Sequence, residues 1–142
     1  MSVTWIVVAN ASQAKLYENQ GPKKGLQLVK ELDHPESREK AANLVSDRVG
    51  NFQGSGSYAQ HTDPKHVEMD RFALELANEL ETGRAKNAFS RVVLVSSAPF
   101  IGRVRQHLTE HVKGKISDTI EKDYTKLNIK DLTGHLGAVM PI

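Results

Sequence analysis

The chain has 142 residues, 39% of them hydrophobic and 25% charged, with a formal net charge of +2 and no cysteine. That composition excludes a wholly disordered chain, and that length predicts one domain, residues 1–142, with a core of its own. The missing thiol excludes disulfides, thiolate metal sites and cysteine nucleophiles, and no apolar stretch approaches the roughly 20 residues of a membrane span.

Thr4 to Ala9 (TWIVVA) is a short β-branched apolar run, suited to a buried strand. It has neither the basic flank nor the apolar length of a secretory signal, so a soluble, cytoplasmic chain with no membrane partner is expected. Asn10 to Gln13 reads as a turn. Ala14 to Glu18 alternates as a second strand, Gly21 to Gly25 forms another turn, and Leu26 to Leu32 alternates as a third. These three strands predict an antiparallel meander.

A long segment follows, at about residues 34–63. Glu39 to Val45 has the pattern of a helical turn, whereas Gly50 to Ser57 is too rich in glycine and serine for regular structure. Compact domains rarely keep a loop this long without a use for it. Asp63 and Pro64 then open a helix as cap and first-turn proline. Met69, Phe72, Ala73, Leu76 and Leu80 supply its apolar stripe, and Gly83 is the expected terminator. Val92 to Val95 is a continuous apolar run, as in a strand covered on both faces. Pro99 starts a second helix with Ile101, Val104, Leu108 and Val112 inward. Lys115 to Tyr124 reads as a last strand, and Asn128 caps a closing helix that ends near Gly137.

The order βββαβαβα predicts an α/β domain in which the later strands pair in parallel within a mixed sheet. With the first strand beside the fourth, the strand order reverses between them. Ligands favour the crevice at the carboxyl ends of strands at such a point. Asn10, Ser12, Ser96 and Ser97 occupy those ends.

Charge is uneven along the chain. Residues 83–115 hold seven basic residues against one acid, Glu110, whereas 64–82 hold five acids against Lys65 and Arg71. Arg103 and Arg105 fall near the start of a helix, whose free amides also favour anions. With Arg38 and Arg48 from the long segment they form the expected phosphate- or nucleic-acid-binding set.

Two stretches have metal-ligand spacing. His107-Leu-Thr-Glu110-His111 matches an inverted zinc-protease spacing, with His107 and His111 as ligands, and His61-x-Asp63-x-x-His66 is a second cluster. Both read better as ordinary helix and cap residues, so no metal and no cofactor is expected. Gly50, Gly54 and Gly56 lack the Gly-Lys-Ser/Thr ending of a nucleotide-binding P-loop. Asn10 stands where two-metal phosphodiester chemistry would need a carboxylate.

Taken together, TWIVVANASQAKLYE, His34-Pro35-Glu36-Ser37-Arg38, Ser46-Asp47-Arg48-Val49-Gly50, Phe72-Ala73, Val92 to Val95, Ala98 to Arg105, and Lys122-Asp123-Tyr124-Thr125 resemble the bacterial host attachment family, proteins required for attachment to host cells. That family in turn resembles the middle domain of archaeal and eukaryotic peptide-chain release factors. The resemblance implies a ribonuclease-H-like three-layer fold with a five-stranded sheet in the order 3-2-1-4-5. It also aligns the 34–63 segment with the loop that carries the Gly-Gly-Gln tip in release factors. Here there is no Gly-Gly-Gln; the nearest sequence is Gly50-Asn51-Phe52-Gln53-Gly54.

Three functions follow as expectations. The leading one is a translation-related domain that binds the ribosome or tRNA without catalysis. The second is a hydrolase of peptidyl-tRNA-like esters in which Gln53 or Gln60 positions water. The third is an interaction module whose 34–63 loop docks a protein partner and affects attachment indirectly.

Overall fold

The structure, a computed structural model, describes residues 3–34, 64–140 and 142. The helical turn expected over 39–45, the glycine-rich stretch, Gln53, Gln60, Arg38, Arg48, His61 and the Asp63 cap lie outside the described residues.

The elements run β1 (Thr4–Ala9), β2 (Gln13–Asn19), β3 (Gln27–Asp33), α1 (Pro64–Ala85), β4 (Arg91–Val95), α2 (Ala98–His107), α3 (Glu110–Lys113), β5 (Ile116–Ile120) and α4 (Ile129–Gly137). The five strands form one sheet in the order β3-β2-β1-β4-β5. β1 pairs antiparallel with β2, and β2 with β3, whereas β1–β4 and β4–β5 are parallel. The expected mixed sheet, strand order and ribonuclease-H-like fold are all present.

β1 is central, so its two faces are both covered and all six residues are buried. Trp5, Val7 and Ala9 join Phe72, Leu76 and Leu80 of α1 and Phe100 and Val104 of α2 in one core cluster. Ile6 and Val8 point to the other face and pack with Leu132 and Leu136 of α4. The two covering layers are unequal: α1, α2 and α3 cover one face and the nine-residue α4 covers the other. At the caps, Asn128 behaves as expected, its Oδ1 accepting from the Asp131 amide at 2.8 Å.

Three expectations need correction. Gly83 does not end α1 but lies inside it. A Cβ there would stand 2.7 Å from the Trp5 ring and 2.9 Å from Phe89, so glycine is required for close packing. The helix ends instead at Ala85, and just beyond it Asn87, with a φ of 56°, gives the left-handed turn, with Ala88 N donating to Gly83 O at 2.8 Å. The single helix expected from Pro99 through Val112 is two, because Leu108 is extended (φ −77°, ψ 143°) and Thr109 caps a new turn by accepting from Val112 N. Finally, β3 does not bury an alternating face. Only Leu32 is buried, and the register shifts where Leu16 pairs with Lys30 and Tyr17 with Leu28, leaving Val29 as the extra residue of a bulge.

Candidate functional site

The carboxyl ends of β1 and β4 meet where the strand order reverses, and Asn10, Ser12, Ser96 and Ser97 do gather there. Their hydrogen bonds are directed inward. Asn10 Oδ1 accepts from the Ser12 amide at 2.8 Å, the Gln13 amide at 2.9 Å and Ser12 Oγ at 3.2 Å. Its Nδ2 donates to Thr125 Oγ1 at 3.1 Å. An asparagine side chain has little capacity beyond these four bonds. Thr125 Oγ1 in turn donates to Asp123 Oδ1 at 2.5 Å, and Lys15 Nζ donates to the Thr125 carbonyl at 3.2 Å. Ser12 O accepts the His34 amide at 2.7 Å. Asn10 thus shapes the β1–β2 turn and ties it to the loop before α4.

Ser96 differs. It is buried, and its hydroxyl has no hydrogen-bond partner among the described residues. It lines a void of about 10 Å³ whose other walls are apolar, among them Val7, Leu76, Phe100 and Val104. A space of that size reaches only the lower bound for one water and offers it few polar partners. Ser97 is exposed and precedes α2 without capping it through its side chain.

The basic stretch is distributed, and three of its seven cations, Arg84, Arg103 and Lys113, have a carboxylate within 4 Å among the described residues. Arg84 donates to both oxygens of Glu81, at 2.9 and 2.6 Å, and Arg91 Nε donates to Thr4 Oγ1 at 2.8 Å. Lys113 lies 3.5 Å from Glu110. Arg103 is 3.9 Å from Asp70 on α1, and His107 Nε2 is 3.0 Å from the same carboxylate. Arg105, Lys86 and Lys115 make no ion pair among the described residues; Arg105 and Lys86 are exposed and Lys115 is half-buried. The hydrogen bonds from Arg84, then from Thr109, hold the Glu81 carboxyl down at about 2, from an ordinary 4.5. Of the two arginines expected to bind phosphate together, Arg103 is therefore committed to Asp70 and Arg105 is open.

The break at Leu108 puts His107 on α2 and His111, with Glu110, on α3, so the five-residue metal spacing has no continuous helix to display it. Among the described residues no three His, Asp or Glu side chains come together as a metal site. His66, the one described member of the second cluster, is exposed. Nor is any helix among the described residues long and apolar enough to cross a membrane.

Sequence reading missed Thr125, Asp123 and Lys15 as members of the strand-end cluster. The only local signal was Asp-x-Thr, whose Asp123 Oδ1 also accepts the Thr125 amide at 3.0 Å. It missed His34 too, whose Nε2 lies 3.0 Å from Glu68 Oε1 while its ring stacks on Phe72 at 5.6 Å. That contact fastens the end of β3 to the second turn of α1.

A family model described as "Protein required for attachment to host cells" matches residues 5–136. An uncharacterized protein of Rickettsia prowazekii (strain Madrid E) is 28% identical over 131 residues, which is 87% of this chain and 85% of that protein. Among solved structures, the archaeal translation termination factor aRF1 superposes with a TM-score of 0.56 at 13% identity, over 97% of this chain and 35% of the factor. A structure described only as an archaeal protein superposes at 0.50, with 13% identity, over 94% of this chain and 34% of its own. The chain thus spans about a third of these structures, and at such identity the likeness is one of fold.

Proposed function

The chain belongs to the family of proteins required for attachment to host cells, and from that premise we propose that it is a cytoplasmic, translation-related domain that binds tRNA or ribosomal RNA and influences attachment indirectly. The observation that carries this reading is the likeness of nearly the whole chain to a domain-sized part of a translation termination factor. The charge pattern supports it: Arg105 stands exposed on α2 and makes no ion pair among the described residues, which suits it to a phosphate. Arg38 and Arg48 complete the proposed contact set, with Arg103 contributing once Asp70 releases it.

The strand-end cluster supports binding over catalysis. Within it Asn10 Oδ1 already accepts three hydrogen bonds and Thr125 Oγ1 gives its proton to Asp123, so these groups are engaged in holding two loops together. Filter binding to bulk tRNA tests the reading. Affinity should be measurable at low salt and fall linearly on a log–log plot as salt rises. Arg105→Ala should weaken binding and reduce that slope by about one. Binding that is undetectable at low salt, or that is indifferent to salt, overturns it.

A further inference from the structure

β3 is one edge of the sheet and pairs with β2 on one side; among the described residues nothing pairs with its other side. Beside that edge runs a groove of about 360 Å³, walled by Lys30 and Leu32 of β3 and by Arg71, Leu74, Glu75 and Glu79 of α1. Leu74 lines this groove, whereas Leu28, paired with Tyr17, stands on the other face of the same edge strand. Leu74 is 43% exposed on α1, and Leu28 and Val29 are each 45% exposed on β3. An open strand edge lying against a helix is the geometry by which domains capture an extended peptide. Backbone hydrogen bonds supply affinity, and alternate side chains drop into the groove and supply selectivity.

The charges point to one kind of occupant. Lys30 is taken by Glu79 at 2.5 Å, and Arg71 by Glu68 at 3.0 Å. Glu75 is 46% exposed, and its only ionic neighbour among the described residues is His34 Nδ1 at 3.7 Å. Glu31 is a second exposed carboxylate of the strand, on the face opposite the groove, where it helps raise the Tyr17 phenol pKa after burial, the larger cause. The groove's two cations, Lys30 and Arg71, are thus paired, which leaves Glu75 as its least compensated charge. We propose that the β3–α1 groove binds an extended segment of another protein, added as a sixth strand, whose alternate residues are apolar and lysine or arginine. A second copy of the chain fits less well. It would bring Glu75, the least compensated charge of the groove, against a second acidic groove.

The test is selection of short random peptides on the full chain, followed by amide hydrogen exchange across residues 27–33. Selected peptides should alternate apolar residues with Lys or Arg and should slow exchange of the β3 amides. They should bind roughly tenfold more weakly to Leu74→Asp and to Glu75→Lys, and lose binding when alternate peptide amides are N-methylated. Both substitutions fall on exposed helix positions, and an unchanged melting temperature shows that the fold is intact. The proposal is overturned if no peptide is enriched over the Leu74→Asp chain, or if the selected peptides leave β3 exchange unaltered. It is equally overturned if β3 amides in the free protein exchange as slowly as those of β1, which would mean the chain itself fills the edge. A disulfide-linked dimer formed by Val29→Cys, the sole cysteine in such a chain, would assign the edge to a second copy and also overturn it.

Discussion

The carboxyl ends of β1 and β4 and the outer edge of β3 both present polar groups beside apolar walls, yet they are built in opposite ways. At the strand ends Asn10, Thr125, Asp123 and Lys15 satisfy one another across 115 residues of sequence. At the β3 edge there are instead a bulge, an exposed leucine and valine, and, on the neighbouring helix, Glu75, whose ionic neighbour among the described residues is His34 at 3.7 Å. A polar cluster at a topological switch point is the usual first place to look for chemistry. Here most of the hydrogen-bonding capacity of Asn10 is spent on joining two loops, and charged groups open to solvent lie on the flank and on α2. The difference teaches that position in a fold nominates a site, whereas leftover valence decides whether it can act on anything else.

The contrast can be broken most severely at Asn10. Replacing it by alanine strips the acceptor from two backbone amides and should destabilise the chain by about 3 kcal/mol in urea unfolding. If Asn10→Ala were as stable as the parent, the strand-end cluster would not be a structural lock. Thr125→Val should be milder, about 1 to 2 kcal/mol, because it leaves Asn10 Nδ2 and Asp123 each short of one partner. Combined with Asn10→Ala, its effect should fall well below the sum, since both cut the same network.

A smaller, pH-dependent effect is expected at Glu81, on the flank of α1. Its folded pKa, about 2, lies below the ordinary 4.5. Its contribution to stability is therefore complete above about 4.5 and lost as pH falls toward 2. The gap in melting temperature between the parent and Glu81→Gln should narrow over that window and be flat from pH 5 to 7; a gap that widens on acidification would contradict the Arg84 and Thr109 contacts as its cause. Smallest of all, Ser96→Ala should change stability by no more than about 0.5 kcal/mol in either direction, because the hydroxyl it removes has no partner to lose. A larger loss would reveal a bound water in the void beneath α2.

The fold was legible where the pattern was local. The apolar run of β1, the stripe of Phe72, Ala73, Leu76 and Leu80, and the Asn128 cap each encode their element within a few residues. The parallel pairing of the later strands follows from the alternation of strands and helices, whereas the order 3-2-1-4-5 is what the family resemblance implies. What was not legible depended on contacts distant in sequence. Gly83 looks like a helix stop until Trp5 and Phe89 are seen pressed against it. Leu108 fits the helical stripe perfectly well, and nothing in its neighbourhood announces the extended turn that splits α2 from α3. Asn10, Ser12, Ser96 and Ser97 follow directly on β1 and β4 in sequence, but the bond from Asn10 to Thr125 joins residues that spacing could not bring together. Arg103 and Arg105 looked equivalent in sequence; only the packing of α2 on α1 gives one of them to Asp70.

The central claim, that this is an RNA-binding domain and not a self-contained catalyst, is tested most directly by sedimentation with ribosomes. The chain should pellet with them at low ionic strength, return to the supernatant as salt rises, and pellet less when Arg105 is replaced by alanine. A chain that stays in the supernatant at the lowest salt, while folded and monodisperse, would contradict the account.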